Sequence, residues 1–315
     1  MRSRGHDREF EGLYDVGPDV HDDAFYDEEY HRRGPIRRAL GCLLPLAILG
    51  GVVFGGYQAY QHLINNFGSP SCKVVSGNFD YQWDPEQAAN ASTITDVGLF
   101  KLGLPNRASD IALTTALQES KLRNLTYGDL DSIGLFQQRP SQGWGTSAQI
   151  QDPVFASTSF YHALVKVAGW QQLSVASAAQ AVQKSGFPSA YDAHTTQGET
   201  LTAVLSGATP EGIGCRLDSA TSSTAPAALV TKLAAQSGVQ ATASTSSVTY
   251  RAPNATAAQA IGAWAVAHAQ SDGVTSVTVG DRAWQRDRGQ DGWTWHPATS
   301  PTSSGSQVRI NLAGR

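Results

Sequence analysis

Glu119 closes an apolar helical pattern in Ala116-Leu117-Gln118-Glu119-Ser120, and a Gly134-Leu135-Phe136-Gln137 turn begins fifteen positions later. Acid-assisted cleavage of a glycosidic bond needs a carboxylic acid that is still protonated near neutral pH. Apolar neighbours on one side of a glutamate disfavour its charged form and favour that state. Glu119 follows Leu113, Ala116 and Leu117, which places it on the edge between core and cleft. The bland reading is a solvated glutamate at a helix end. Other chemistries fit badly, since the chain has no nucleophile elbow, no phosphate-cradling glycine loop and no His/Cys cluster at metal spacing. No cofactor and no metal are expected, and His162, His194 and His268 are isolated.

Helices must position this glutamate. Asp84-Pro85-Glu86-Gln87 predicts an N-cap with proline in the first turn, opening a helix through Ala88 and Ala91. Ser109-Asp110 is the predicted cap of the next, whose apolar set is Ile111, Leu113, Ala116 and Leu117. Asp152-Pro153 opens a third with Phe155, Phe160, Leu164 and Val167, and Val175 to Val182 supplies a fourth. No alternating strand is predicted between Cys72 and Cys215.

From Ala112 to Tyr191 the chain resembles the lytic transglycosylase and goose-type lysozyme superfamily, and Gln118 to Trp144 resembles an actinobacterial membrane-anchored subgroup of it. The family carries a catalytic Glu followed by Ser, then a Gly-Leu-Met-Gln turn, then an Ala-Tyr-Asn-Ala-Gly-like helix. Gln118-Glu119-Ser120 matches the first element, and Gly134-Leu135-Phe136-Gln137 matches the second with Phe136 in place of Met. The third is Ala181-Val182-Gln183-Lys184-Ser185-Gly186, with Val182 where Tyr is common and Gln183 where Asn is common. The resemblance implies that Glu119 protonates the leaving oxygen and then acts as base. In a transglycosylase the base takes the proton of the substrate's own C6 hydroxyl, so no second carboxylate is needed. A hydrolase would need one to position water. Asp129 and Asp131 occupy the segment where goose-type lysozymes carry auxiliary aspartates, and inversion would require a separation from Glu119 of about 6.5–9.5 Å. An Asp-rich turn bonding its own backbone is the other reading of the pair.

The remaining site candidates each have two roles open. Gln137 reaches an N-acetyl group or Glu119, or ties two loops together. Ser120 bonds near the acid or ends the helix. Trp144, between Gly143 and Gly145, is a stacking platform for a sugar ring; Tyr127 and Tyr191 are further substrate contacts or core aromatics, as is Tyr161. Gln183 is a sugar contact from the third element. Arg139 meets an anionic peptide stem or pairs with an aspartate.

The compartment is read from the N-terminal third. Residues 1–36 form a charged cytoplasmic tail, and a membrane helix is expected at 37–64. Its apolar run from Ala39 to Tyr57 approaches the roughly 20 residues a span needs. Arg32, Arg33, Arg37 and Arg38 precede it and no Lys or Arg follows until Lys73, which orients the N-terminus inward. Cys42 within that run is a small apolar residue. Cys72 and Cys215 bracket the next block; paired, they would staple its ends, and two buried free thiols are the alternative. The expected architecture is therefore a mainly α, lysozyme-like domain at 72–215, a Ser/Thr/Ala/Pro linker at 216–227 and a small α+β domain at 228–315. Val274, Val277 and Val279 predict a strand in that last part, as do Val308, Ile310 and Leu312. A net charge of −4 argues against nucleic acid. The expected partners are peptidoglycan glycan strands, the membrane, and a cell-wall or divisome protein on the C-terminal domain. The alternative is a non-catalytic protein that binds glycan or scaffolds a wall-remodelling complex.

Overall fold

The computed structural model describes residues 53–60, 68–184 and 188–314. The expected tail at 1–36 lies outside the described residues, and so does the expected membrane helix except for 53–60, which are helical. Among the described residues no helix is long and apolar enough to cross a membrane.

The helical block is built around α2 (Asn106–Ser120), in which every residue from Ile111 to Leu117 is buried. Such a helix is enclosed on all sides rather than amphipathic. It is packed by α1 (Pro85–Asp96), α4 (Pro153–Leu164), α5 (Val175–Gln183) and α6 (Thr195–Leu205), with the one-turn α3 (Ser147–Ile150) beside α4. The start signal at Ser109-Asp110 is displaced: α2 begins three residues earlier, after an extended Pro105, and Ser109 is fully buried. At its end, Lys121 and Leu122 both adopt left-handed backbone, and their N–H groups donate to Leu117 and Ala116. Helix α6 has no counterpart in the sequence reading. Its buried face is Gly198, Thr200, Leu201, Thr202, Val204 and Leu205, so its apolar residues are confined to the C-terminal half and its first turns carry no apolar periodicity.

Strands frame this block, contrary to expectation. β1 (Ser71–Ser76) lies between β2 (Phe79–Trp83) and β3 (Ile213–Arg216) in an antiparallel sheet. β1 buries only Cys72 and Val74, and β3 is buried throughout, so neither gives a legible alternation. The register sets Cys72 opposite Cys215, and the two form a disulfide.

The C-terminal part holds α7 (Pro226–Ser237), α8 (Ala255–Ala267) and a second antiparallel sheet. Its strands are β4 (Thr242–Ala243), β5 (Ser247–Arg251), β6 (Val274–Val279), β7 (Arg282–Gln285), β8 (Trp295–Pro297) and β9 (Gln307–Leu312), in the order β4-β5-β9-β6-β7-β8. The predicted strands at Val274–Val279 and Val308–Leu312 are present and pair with each other. β7 and β8 pair at Arg282 with Pro297, Ala283 with His296 and Trp284 with Trp295, and Gln290–Trp293 forms a 3-10 turn between them.

Residues Gln58–Arg315 form one compact unit. Helix α8 lies between the second sheet and the first block, touching α1, β3 and α6. Trp295 donates from Nε1 to the Ile213 carbonyl at 2.8 Å, and Arg282 grips Glu211 with two hydrogen bonds of 2.9 and 2.8 Å. A Cβ on Gly214 would meet the Trp293 backbone at 2.3 Å, so only glycine allows that approach. The stretch expected as a linker is fastened, with Thr224 bonded to Asp272 and Ser223 to the Ala313 carbonyl. Beside this seam His268 is buried, with its ring bonded to the Trp264 carbonyl at 2.9 Å. Burial and the Lys232 charge push its pKa down to about 3, against the pull of Asp272.

Candidate active site

The last turn of α2 opens onto a cleft of about 1100 Å³. One wall is the end of α2 with Gln118 and Glu119, and the segment from Asp129 to Trp144 forms a second. The third wall comes from α4, the turn after it, and the end of α5. The lining is mainly polar and rich in amides: Gln118, Gln137, Gln142 and Gln183 all contribute. Carboxamides both donate and accept hydrogen bonds, which suits hydroxyl and acetamido groups.

Glu119 is half-buried, and its Oε1 accepts a 2.6 Å hydrogen bond from the Tyr191 hydroxyl. Tyr191 is fully buried in the 3-10 segment Pro188–His194. A donor locked by packing fixes the orientation of the carboxyl at little entropic cost. The other Glu119 oxygen has no protein donor among the described hydrogen bonds.

The Gly134–Gln137 turn is the loop closed by a single antiparallel bridge: Ile133 and Gln138 exchange N–H···O bonds of 3.0 Å in both directions. Its tight path requires left-handed backbone at Gly134 and, without glycine, at Gln137. Leu135 and Phe136 point inward and are fully buried. Phe136 stacks on Phe160 of α4 at 4.6 Å, so the ring occupies a rigid aromatic slot. Two side chains bolt the turn down. The Ser120 hydroxyl donates to the Leu135 carbonyl at 2.7 Å, and Gln183 Nε2 donates to the Phe136 carbonyl at 2.7 Å. The three short sequence elements thus meet through the carbonyls of one turn.

Several predicted contacts take other roles. Ser120 and Tyr191 were expected at the substrate; both are buried, and their hydroxyls act on protein groups instead. Tyr127 is 70% exposed and does not line the cleft, while its carbonyl accepts from Gln137 Nε2 at 3.3 Å. Gln137 therefore ties two loops and also lines the cleft. Trp144 and Gln183 line the cleft. Of the two aspartates, Asp129 faces the cleft, but Asp131 is consumed. It accepts from Arg139 Nε at 2.8 Å, from the Ser141 N–H at 2.8 Å and from the Ser141 hydroxyl at 2.9 Å. Arg139 and the Ser141 backbone hold the Asp131 carboxyl down at about 2. Arg139 is paired by that contact, the blander of its two roles.

Sequence reasoning missed His162, Lys166 and Lys184, which also line the cleft. Lys184 follows Gln183 in the third motif, but nothing local marks His162 or Lys166, because α4 reaches the cleft only through tertiary packing. Backbone strain gathers here as well. Among the described residues, six non-glycines have positive φ, and five of them (Lys121, Leu122, Leu130, Gln137 and Lys184) lie in the segments around the cleft. Such residues cost of order 1–3 kcal/mol each and persist where the surroundings over-determine them, commonly at functional sites. Compared with family models and with curated proteins, the chain finds no match in either.

Proposed function

We propose that this protein cleaves the glycan strands of peptidoglycan outside the cytoplasmic membrane, as a lytic transglycosylase with Glu119 as general acid and then base. The observation that carries the reading is the Glu119 carboxyl itself. It sits at the rim of a polar cleft large enough for an oligosaccharide, with one oxygen fixed by Tyr191 and the other available to a ligand. A carboxyl held this way can give its proton to a leaving oxygen and recover one from the substrate's own hydroxyl. The pairing of Asp131 with Arg139 and Ser141 favours a route that needs no second carboxylate, leaving Asp129 as the remaining auxiliary candidate. The Cys72–Cys215 disulfide supports an oxidising compartment, and the arginine-flanked run from Ala39 to Tyr57 supports a single membrane anchor with the N-terminus inside.

The test incubates wall glycan with the full chain and with its Glu119→Gln form. Loss of a general acid lowers the rate by roughly 10²–10⁴-fold, seen as lost release of soluble fragments. The released fragments should end in 1,6-anhydro sugars; reducing ends would replace transglycosylation by hydrolysis. Equal release by both proteins would overturn the enzyme reading and favour a glycan-binding or scaffolding protein.

A further inference from the structure

The charges lining the cleft are segregated. Glu119 and Asp129 lie on the walls formed by α2 and the 129–144 segment. Lys166, beyond the end of α4, and Lys184, at the end of α5, line the third wall together with His162. Among the described residues, neither lysine has an ion pair or side-chain hydrogen bond, although the protein pairs Lys73, Lys232 and Arg282 with carboxylates elsewhere. Arg139, the other cation at the cleft, is already taken by Asp131. A cation near a helix C-terminus is favoured by the helix dipole. That explains why α4 and α5 end in cations, but not why both face one cleft with no carboxylate between them.

We propose that Lys166 and Lys184 form an anion-recognising wall for carboxylates carried by the bound polysaccharide, so that the cleft selects an acidic glycan over a neutral one of the same length. This rests on the reading of the cleft as a glycan site. A carboxylate substituent is repelled by Asp129 and attracted to the α4–α5 wall. That preference orients the chain across the cleft and fixes which sugars flank the acid. Exposed lysines act through a partly screened field, so the preference is modest and falls with added salt.

The test measures binding to the full chain carrying Glu119→Gln, which prevents turnover. The probes are a neutral N-acetylglucosamine oligomer and an oligomer of equal length whose alternate sugars carry free lactyl carboxylates. The expected results are tighter binding of the acidic oligomer, a roughly three- to tenfold loss of that affinity in the Lys166→Ala/Lys184→Ala form at low salt, and less than twofold change for the neutral oligomer. Lys166→Arg/Lys184→Arg should retain the preference. Equal weakening of both oligomers would mean that the lysines only shape the cleft, and no weakening of either would mean that they do not recognise the anion; both overturn the inference while leaving the glycan reading standing. If the parent protein binds neither oligomer, both readings fall together.

Discussion

The tight turn facing Glu119 can be tested at a single hydrogen atom. Gly134 has φ +80°, and a Cβ placed on it would lie 2.9 Å from the Ile150 carbonyl oxygen and 3.0 Å from the Ile150 Cγ2. Gly134→Ala therefore incurs two penalties. Left-handed backbone costs an alanine about 1–2 kcal/mol. Overpacking against a backbone carbonyl that cannot rotate away adds about 1–3 kcal/mol. Gly143, on the same segment, isolates the first penalty: its φ is +78° and a Cβ there meets nothing within 4 Å. Gly134→Ala should therefore lose about 2–5 kcal/mol and Gly143→Ala about 1–2 kcal/mol. For a unit of this size each kcal/mol moves the melting midpoint by roughly 2–4 °C. Urea unfolding and thermal melts of the two variants read the difference directly. Gly134→Ala should also slow glycan release in its surviving folded fraction, because the displaced turn carries the carbonyls held by Ser120 and Gln183. Equal losses in the two variants would mean that the close approach to Ile150 contributes nothing.

Two further outcomes follow from the frame. Replacing both Cys72 and Cys215 by alanine frees a loop whose ends are 143 residues apart, for which chain entropy gives a loss of about 5 kcal/mol, against a typical range of about 2–4. A lower urea midpoint in the double variant checks this, and an unchanged midpoint would contradict it. For His268, whose folded pKa is depressed to about 3 from 6.5, the stabilisation is present above pH 6.5 and is lost as pH falls towards 3. Its share of that loss reaches about 2 kcal/mol by about pH 5, and urea titrations at that pH and near neutrality should show the His268→Gln protein losing less than the parent.

Much of the site was readable because its chemistry is local. The Glu119 helix end, the glycine turn and the Gln183 segment are each a few consecutive residues, and all three meet in the fold. The helix starts at Asp84-Pro85 and Asp152-Pro153 were equally legible, since proline and a preceding Asp act on the nearest turn. What failed was information held between distant segments. Helix α6 has apolar residues only in its C-terminal half, the alternation of β1 stops at Val74 because Val75 is exposed, and β3 is buried on both faces. The burial of Tyr191 could not be told from a sugar platform, because an exposed and an enclosed tyrosine look alike in sequence. The third wall needed α4 and α5 to be set against the end of α2, which no spacing encodes.

The seam along β3 has a consequence for how this protein can be taken apart. Ile213 and Glu211 hold Trp295 and Arg282 from the opposite side of the 216–227 stretch, while α8 leans on α1 and β3. A cut in that stretch would separate the chain without separating two finished cores, and each piece would present to water the apolar face it had shared. The C-terminal part is thus a co-folding half whose loss is felt at α1, one helix away from Glu119, and melting of the unit should proceed as one cooperative transition rather than two.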